Sequence, residues 1–397
     1  MRAVSKLLLP VLLPILLLAR ADARADRSSK SEKAVPTAPS GAIRIYVGTY
    51  TDGESKGIYR LLLDPATGKV TSDGPPTETV SPSFLALSQD GTRLFAVNET
   101  GNSATDPAGG VTSFSVDPAT GALALLSRSS SSGPAPCHLS LDKGDKHVLV
   151  ANYWGGSVTV LPVQPDGRLG GATALVRHTG ENPTPRDPGP HAHAIHVDPS
   201  SRWALVADLG LDKVFVYPYD AERGALGPVP RQVGMQKGAG PRHLAFDPDG
   251  KGVFVLNELN GTVVSFAFDP TDGSMVQIDS MSTLAAGYQG KNSSAEVAVS
   301  PDGRFLYASN RGPDDIAIFE IMRPSRRLRL AGRQATGGRH PRHFAIDPSG
   351  RFLVVANRDS DSVWVYRIDA ATGLLSYASG PVSVPKPVCV LMRKAGP

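Results

Sequence analysis

The chain has 397 residues, 41% of them hydrophobic and 20% charged, and this composition excludes an intrinsically disordered protein. The formal net charge is +4, but residues 1–25 hold four cations and one anion, so the rest of the chain carries only +1. A nucleic-acid partner is therefore not expected. A single core rarely serves so many residues, so the chain must either divide into domains or repeat a small unit.

The N-terminal region has the pattern of a secretory leader. Arg2 and Lys6 precede an apolar run over residues 7–19, and small residues at cleavage spacing follow. We predict a signal peptide in residues 1–25, a flexible linker in residues 26–41 that is rich in Ser, Lys, Pro and Ala, and a folded domain in residues 42–397. The apolar run is too short for a stable membrane anchor. We expect an exported monomer, periplasmic or extracellular, with no membrane attachment after leader cleavage.

One phrase recurs through the rest of the chain at a spacing of roughly 50 residues. Its clearest copies are "PRHLAFDPDGKGVFVLNELNGTVVSFAFD" and "PRHFAIDPSGRFLVVANRDSDSVWVYRID", which begin at Pro241 and Pro341. Each copy alternates apolar and polar residues with period two between Asp-Gly, Asn-x or Gly-rich turns, which predicts three strands and a weaker fourth. Four antiparallel strands per copy are typical of a propeller blade. No segment has a sustained helical period, so almost no helix is predicted.

Six copies are complete and the seventh is divided between the chain ends. The N-terminal "IRIYVGTY" and "KGIYRLLLD" match the second and third strands of the repeat, and the C-terminal "PKPVCVLM" matches its first strand. The sequence therefore predicts an all-β, seven-bladed β-propeller whose C-terminal strand joins the N-terminal blade and closes the ring. Cys137 and Cys389 fall on separate blades and are expected to be free.

These phrases resemble the 6-phosphogluconolactonase family of seven-bladed propellers, which also includes carboxymuconate-cyclising relatives. The stretches that carry the resemblance include "IYVGTYTDGESKGIY", "VANYWGGSVTV", "PHAHAIHVDP" and "GPRHLAFDPDGK". The resemblance covers nearly the whole mature chain. It implies hydrolysis of a six-membered sugar lactone, without metal or cofactor, in a cleft at one mouth of the channel.

In an antiparallel blade, the start of the first strand, the end of the second and the start of the third lie on the same side of the disk. These positions therefore converge on one channel mouth. The residue that ends the second strand is Asn98, Asn152, Asn257, Asn310 or Asn357 in five copies, so it is interpreted as structural. Asp208 is its charged variant in the fourth blade and becomes a candidate substrate contact.

The third position of the first strand carries the candidate chemistry. It is occupied around the ring by Phe84, His138, Ala194, His243, Glu296, His343 and Cys389. We expect the three histidines and the glutamate to face one mouth, joined by His193 from the fourth blade. Arg242 and Arg342 lie beside two of these histidines, and Arg311 follows the second strand of the sixth blade.

Lactone hydrolysis needs a base for water, a donor to the carbonyl oxyanion and an acid for the leaving ring oxygen. Glu296 or His138 is proposed as the base, with His243 assisting. Arg242 and Arg311 would orient the substrate or stabilise the oxyanion, because guanidinium offers a charged fork of donors. His193, Asp208, Arg342 and His343 complete the predicted substrate-binding set.

Several alternatives stay open at the level of sequence. His191 and His193 have the spacing of a metal-binding pair, but no motif supplies a third ligand. The histidines could instead be satisfied core residues. A non-catalytic propeller that binds a glycan or a protein is the main rival to the lactonase, and a lactone-forming cyclase is a third possibility.

Overall fold

The computed structural model describes residues 41–101, 109–181 and 189–396. The predicted leader and nearly all of the predicted linker lie outside the described residues. Within those three ranges no helix has the length and apolar character needed to cross a bilayer.

The described chain forms thirty β-strands. The first seventeen, in chain order, are β1 (Ile43–Thr49), β2 (Gly57–Leu63), β3 (Val70–Ser72), β4 (Thr77–Glu78), β5 (Leu85–Leu87), β6 (Arg93–Asn98), β7 (Gly110–Val116), β8 (Leu123–Ser130), β9 (Pro136–Leu141), β10 (His147–Asn152), β11 (Ser157–Pro162), β12 (Ala174–Arg177), β13 (Ala192–Val197), β14 (Trp203–Asp208), β15 (Lys213–Asp220), β16 (Ala225–Leu226) and β17 (Arg231–Gly234). The remaining strands are β18 (Pro241–Phe246), β19 (Gly252–Asn257), β20 (Thr262–Asp269), β21 (Ser274–Ser282), β22 (Ser293–Val299), β23 (Phe305–Arg311), β24 (Asp315–Met322), β25 (Arg327–Ala335), β26 (Pro341–Ile346), β27 (Phe352–Asn357), β28 (Ser362–Ile368), β29 (Leu375–Ser383) and β30 (Pro387–Lys394).

These strands form seven antiparallel sheets, which are the blades of the propeller. Blade 1 contains β1 to β4 and β30, blade 2 contains β5 to β8, blade 3 contains β9 to β12 and blade 4 contains β13 to β17. Blades 5, 6 and 7 contain β18 to β21, β22 to β25 and β26 to β29. The predicted seven-bladed, all-β fold is confirmed, and the described residues contain one short 3-10 turn, Arg358–Ser360.

The ring closes through blade 1, where β30 pairs antiparallel with β1. Val47 lies opposite Val390 and Gly48 opposite Cys389 in this pairing. The C-terminal strand thus takes the first position of a blade whose other strands come from the N-terminal end of the domain, as the divided repeat predicted. Cys137 and Cys389 are both buried and free, which confirms the cysteine prediction.

The core lies between neighbouring blades rather than at one centre. In one cluster Val158 and Val160 of blade 3 pack against Ile195, Val206 and Phe215 of blade 4. The second strand of a blade is buried on both faces, so its sequence is nearly all apolar. In β27 every residue from Phe352 to Asn357 is buried. Stacked blades therefore build a continuous core from a unit that could not bury its own faces.

Candidate active site

A shared β-bulge in the first strands turns two consecutive side chains toward the channel. In β9, Pro136 lies opposite Asn152 and His138 opposite Ala151, so Cys137 is an extra residue in the pairing. The same irregularity makes His193 the extra residue in β13, Arg242 the extra residue in β18 and Arg342 the extra residue in β26. A bulge interrupts the alternation of strand faces. The channel is consequently lined by two layers, an upper one from the bulge residues and a lower one from the predicted third position.

The upper layer surrounds a cavity of about 240 Å³, here called the upper pocket. Its wall consists of bulge residues and of residues at or just beyond the end of a second strand. The lining residues are Tyr50, Glu99, Cys137, Tyr153, Trp154, His193, Glu258, Arg311 and Arg342. Arg242 lies directly behind Glu258 and is buried. Three guanidinium groups and two carboxylates thus meet in and around a space the size of a small sugar.

Ion pairs with Glu258 hold Arg242 and Arg311 in place. Glu258 Oε2 lies 2.8 Å from Arg311 Nη2 and 3.2 Å from Arg242 Nε. Arg311 also donates from Nε to the Ser293 carbonyl at 2.9 Å, and Arg242 donates to the Ala295 carbonyl. Because one carboxylate is shared by two cations, positive charge remains to meet an electronegative ligand.

A second acidic group occupies the opposite wall. The Tyr50 hydroxyl lies 3.1 Å from each carboxylate oxygen of Glu99 and donates to that carboxylate. The guanidinium of Arg342 lies 5.4 Å from the centre of the Tyr50 ring. In the described part of the chain Arg342 has no ion-pair or hydrogen-bond partner, so its N–H groups are available to a ligand.

Two other groups of the pocket have shifted acidities. Burial, reinforced by the charge of Arg242, lowers the pKa of His193 well below its usual value, so the imidazole is neutral and keeps a lone pair. Burial, with the charge of Glu99, raises the pKa of the Cys137 thiol. The thiol therefore stays protonated at neutral pH and is not an activated nucleophile.

The lower layer, here called the imidazole cluster, consists of Phe84, His138, His243, Glu296 and His343. Glu296 Oε2 lies 3.0 Å from His243 Nδ1 and 3.1 Å from His343 Nε2. The His138 and His243 rings are 5.3 Å apart, and the Phe84 ring packs 4.2 Å from that of His138. The predicted convergence of His138, His243, Glu296 and His343 is therefore observed, although they lie inside the channel rather than at its mouth.

The imidazole cluster borders a different cavity. His138, His196, Glu296 and His343 line a space of about 470 Å³, here called the lower cavity. Its other walls are mainly apolar and include Leu244, Phe246, Val297, Phe344 and Leu391. The lower cavity thus combines imidazoles with hydrocarbon, whereas the upper pocket combines guanidinium groups with carboxylates.

Asp208 does not join either layer. It is fully buried, its Oδ2 lies 2.5 Å from His178 Nδ1, and its Oδ1 accepts the N–H groups of His191 and Leu211. Both oxygens are therefore occupied by protein donors, and the placement gives no support to the predicted substrate contact. Asp208 instead positions the segment that leads into β13.

The related asparagines confirm their structural interpretation. Asn152 Nδ2 donates to the Ser131 carbonyl at 3.2 Å, and Asn357 Nδ2 donates to the Thr336 carbonyl at 3.0 Å. Each bond joins the second strand of a blade to the segment that arrives from the preceding blade. His178 occupies the same place as Ser131 and Thr336, one residue after the outermost strand, so blade 4 makes this link with an imidazole and a carboxylate.

His191 and His193 have different partners although both rings contact Tyr153. The His191 ring stacks on Tyr153 with centroids 4.6 Å apart, and its Nδ1 donates to the Tyr153 carbonyl. The His193 ring contacts the edge of Tyr153 at 5.5 Å and lies 5.2 Å from the His243 ring. Across the described ranges no group of three or more His, Cys, Asp or Glu side chains is arranged to hold a metal ion.

The sequence analysis missed Tyr50, Glu99, Tyr153, Trp154 and Glu258. Four of these follow directly on the residue that ends the second strand, the same position that supplies Arg311 in blade 6. The residue type at this position differs in nearly every blade, and this variation within the repeat could have identified the pocket residues. The bulge, which makes the first strand contribute two layers, has no comparable mark in the sequence.

Comparisons with known proteins agree with this architecture. A family model described as "Lactonase, 7-bladed beta-propeller" matches residues 44–392. A 6-phosphogluconolactonase of Bacillus subtilis (strain 168) is 35% identical over 349 residues, which is 87% of this chain and 97% of that protein.

Solved structures give the same result. A periplasmic gluconolactonase of Pseudomonas aeruginosa superposes with a TM-score of 0.84 at 35% identity, covering 90% of this chain and 100% of that one. A putative 6-phosphogluconolactonase of Bacteroides fragilis NCTC 9343 superposes with a TM-score of 0.83 at 34% identity and the same coverage. The chain therefore belongs to the lactonase family of seven-bladed β-propellers, a family of carboxylic ester hydrolases.

Proposed function

We propose that this protein hydrolyses the lactone of an aldonic acid in the upper pocket. One observation carries the proposal. Two guanidinium groups, two carboxylates and a neutral imidazole line a single cavity of about 240 Å³. Such a surface suits a ligand rich in hydroxyl and carbonyl oxygens, because charged donors and acceptors replace the water that a sugar loses on binding.

The lower cavity is less suited to this substrate. Its hydrocarbon wall offers few partners to the hydroxyl groups of a sugar, and unpaired buried hydroxyls are costly. His243 and His343 are already bound to Glu296. We therefore place the chemistry one layer above the histidines that the sequence analysis favoured, and we assign His138, His243, Glu296 and His343 to the support of the pocket floor.

The reaction uses groups of the upper pocket. Water attacks the lactone carbonyl carbon while His193 accepts a proton from it, because the imidazole is neutral and keeps a lone pair. Arg342 donates to the oxyanion that forms, and Arg311 orients the substrate. The bond between the carbonyl carbon and the ring oxygen then breaks, and the imidazolium returns the proton to that oxygen. The product is the open-chain hydroxy acid.

The names of similar proteins and the predicted leader support the proposed substrate class. One similar protein is named a 6-phosphogluconolactonase and another a periplasmic gluconolactonase. Residues 1–25 have the pattern of a secretory leader, so we propose an exported enzyme that acts on an unphosphorylated aldonolactone. Fusion of residues 1–41 to a reporter that is active only after export tests the location.

Proton release from glucono-1,5-lactone tests the assignment of the site. We expect His193→Gln to lower kcat about 100-fold, the usual contribution of a general base. The matched control is His147→Gln, which alters a buried histidine bound to Asp142 outside both cavities and should keep wild-type kcat at a temperature where it is folded. Wild-type kcat in His193→Gln, combined with loss of activity in Glu296→Gln, would move the reaction to the lower cavity.

A further inference from the structure

A rigid group of aromatic rings stands at the rim of the upper pocket. Tyr153 and Trp154 lie in the turn between β10 and β11, and this turn closes with the Gly156 N–H donating to the Tyr153 carbonyl at 3.2 Å. Gly156 has φ +50, and a Cβ there would lie 2.5 Å from the Pro190 carbonyl oxygen. The turn is thus pressed against the segment before β13, which leaves it little room to move.

The rings support one another. Tyr153 stacks on His191 at an interplanar angle of 15°, and the Trp154 indole packs edge-on against both rings at 5.0 and 5.4 Å. His191 is itself held, because its backbone N–H donates to Asp208 at 2.8 Å. An aromatic side chain fixed in this way loses little conformational entropy when a ligand packs on it.

Trp154 is exposed over 51% of its surface although it also lines the upper pocket. The other two tryptophans, Trp203 and Trp364, do not line this pocket. A single exposed apolar side chain needs no explanation on its own. Here the exposed indole adjoins a polar cavity and is immobilised by two neighbours, which is the arrangement of a binding surface.

We propose that Trp154 binds a second sugar residue, so that the preferred substrate is the lactone of a disaccharide or longer aldonic acid. The inference rests on the proposed function. A cavity of about 240 Å³ accommodates one six-membered ring with its substituents, so a sugar linked to that ring lies outside, over the rim. The C–H face of a pyranose is apolar and stacks on an indole, while its hydroxyls stay in water.

The chemistry leaves the glycosidic bond intact. Water adds across the ester bond of the lactone ring, and the aldonic acid is released with its second sugar still attached. Such a lactone arises when the anomeric carbon of an oligosaccharide is oxidised by an enzyme with its own electron acceptor. The reaction that supplies the substrate is therefore an oligosaccharide C1 oxidation.

Steady-state kinetics on two lactones test the proposal. We expect kcat/KM for cellobiono-1,5-lactone to exceed that for glucono-1,5-lactone by about tenfold in the wild type, as one stacking contact would provide. Trp154→Ala should lower kcat/KM for cellobiono-1,5-lactone about tenfold more than kcat/KM for glucono-1,5-lactone, so that the preference is lost. Trp154→Phe should keep part of it. Tyr377→Ala, at an exposed aromatic residue outside the pocket, is the matched control and should keep all of it.

Two outcomes overturn the inference: equal kcat/KM for the two lactones in the wild type, or equal losses on both in Trp154→Ala. Failure of the proposed function has a different signature, since neither lactone would then be hydrolysed above the uncatalysed rate. In that case a fluorescence titration with cellobionate decides. Cellobionate should then give a saturable change that is absent in Trp154→Ala and larger than any change with gluconate, and no change in the wild type would refute binding of a second sugar at Trp154.

Discussion

At the scale of the residue, backbone N–H groups set the histidine tautomers in the channel. The Ile195 N–H donates to His138 Nδ1 at 3.3 Å, and the Val390 N–H donates to His343 Nδ1 at 3.2 Å. Since burial lowers the pKa of both histidines, each is neutral and carries its proton on Nε2. His343 can therefore donate to Glu296, which fixes that carboxylate from a second side.

His243 has the opposite tautomer. Its Nδ1 faces Glu296, so the proton lies there and Nε2 keeps the lone pair. Burial lowers the pKa of His243 well below its usual value. The His243 ring lies 5.2 Å from that of His193, so the floor beneath the proposed base is a neutral imidazole oriented by a carboxylate. A neighbour oriented in this way can hold His193 in position.

Asp208 provides a residue-level prediction about stability rather than catalysis. Asp208→Ala leaves the buried His178 ring without its partner and should lower the free energy of unfolding by about 3 kcal/mol. Activity of the folded fraction should stay near wild type, because Asp208 lines neither cavity. The double variant Asp208→Asn with His178→Thr introduces, between blades 3 and 4, the residue pair that links blades 6 and 7, Asn357 and Thr336. It should recover most of the lost stability. Denaturant unfolding measures all three.

If Asp208→Ala instead abolished kcat with unchanged stability, the substrate contact predicted from its charge would be correct. The double variant sharpens the comparison, because it removes the charge at position 208 while keeping a hydrogen bond to the neighbouring segment. Full activity in the double variant therefore supports the structural role.

At the scale of the element, the sequence predicted the strands well and their detailed register poorly. Apolar runs bounded by Asp-Gly and Asn-x turns mark the strands, because both faces of each blade pack against neighbouring blades and the second strand is buried throughout. The divided blade could be predicted because "PKPVCVLM" fills a missing place in the repeat. The strand order inside every blade follows from this one pattern.

The candidate site was only partly predictable for a physical reason. His138, His243, Glu296 and His343 occupy one repeat position and were found together. Their depth in the channel depends on the bulge, a backbone feature that leaves the residue types unchanged. The position directly after the second strand carries Glu99 and Glu258 as well as Arg311. Of the residues at this position, only Arg311 was predicted to belong to the site.

Strand β30 closes the ring, so its removal should destabilise the whole propeller. Removal of residues 387–397 takes away the first strand of blade 1 and exposes the edge of β1, including Val47, which pairs with Val390. We expect loss of the cooperative thermal transition and aggregation of the truncated chain. Circular dichroism melting and size-exclusion chromatography measure these effects. Removal of Gly396 and Pro397 alone is the control, since it leaves β30 whole and should melt as wild type.

At the scale of the whole molecule, the channel holds five imidazoles whose pKa values are lowered mainly by burial. They are His138, His193, His196, His243 and His343. For His196 the pKa falls from 6.5 to about 4. As pH drops below 6.5 the unfolded chain takes up these protons before the folded one does, so acid must destabilise the fold.

We therefore expect the free energy of unfolding to be nearly constant above pH 7 and to fall steeply between pH 6.5 and about 4. Each imidazole that stays neutral in the folded state contributes a slope of about 1.4 kcal/mol per pH unit in this range. Urea unfolding at a series of pH values measures the slope. His196→Gln should reduce this slope by about 1.4 kcal/mol per pH unit, the contribution of one proton. A stability that is flat from pH 7 to 5 would show that the imidazoles are not held neutral.

A crystal structure of the protein soaked with gluconate, the product of glucono-1,5-lactone hydrolysis, would locate the reaction site directly. If the upper pocket is the reaction site, gluconate density should lie against Arg311 and Arg342, with the carboxylate near His193. Density in the lower cavity, against His138 and Glu296, would contradict it.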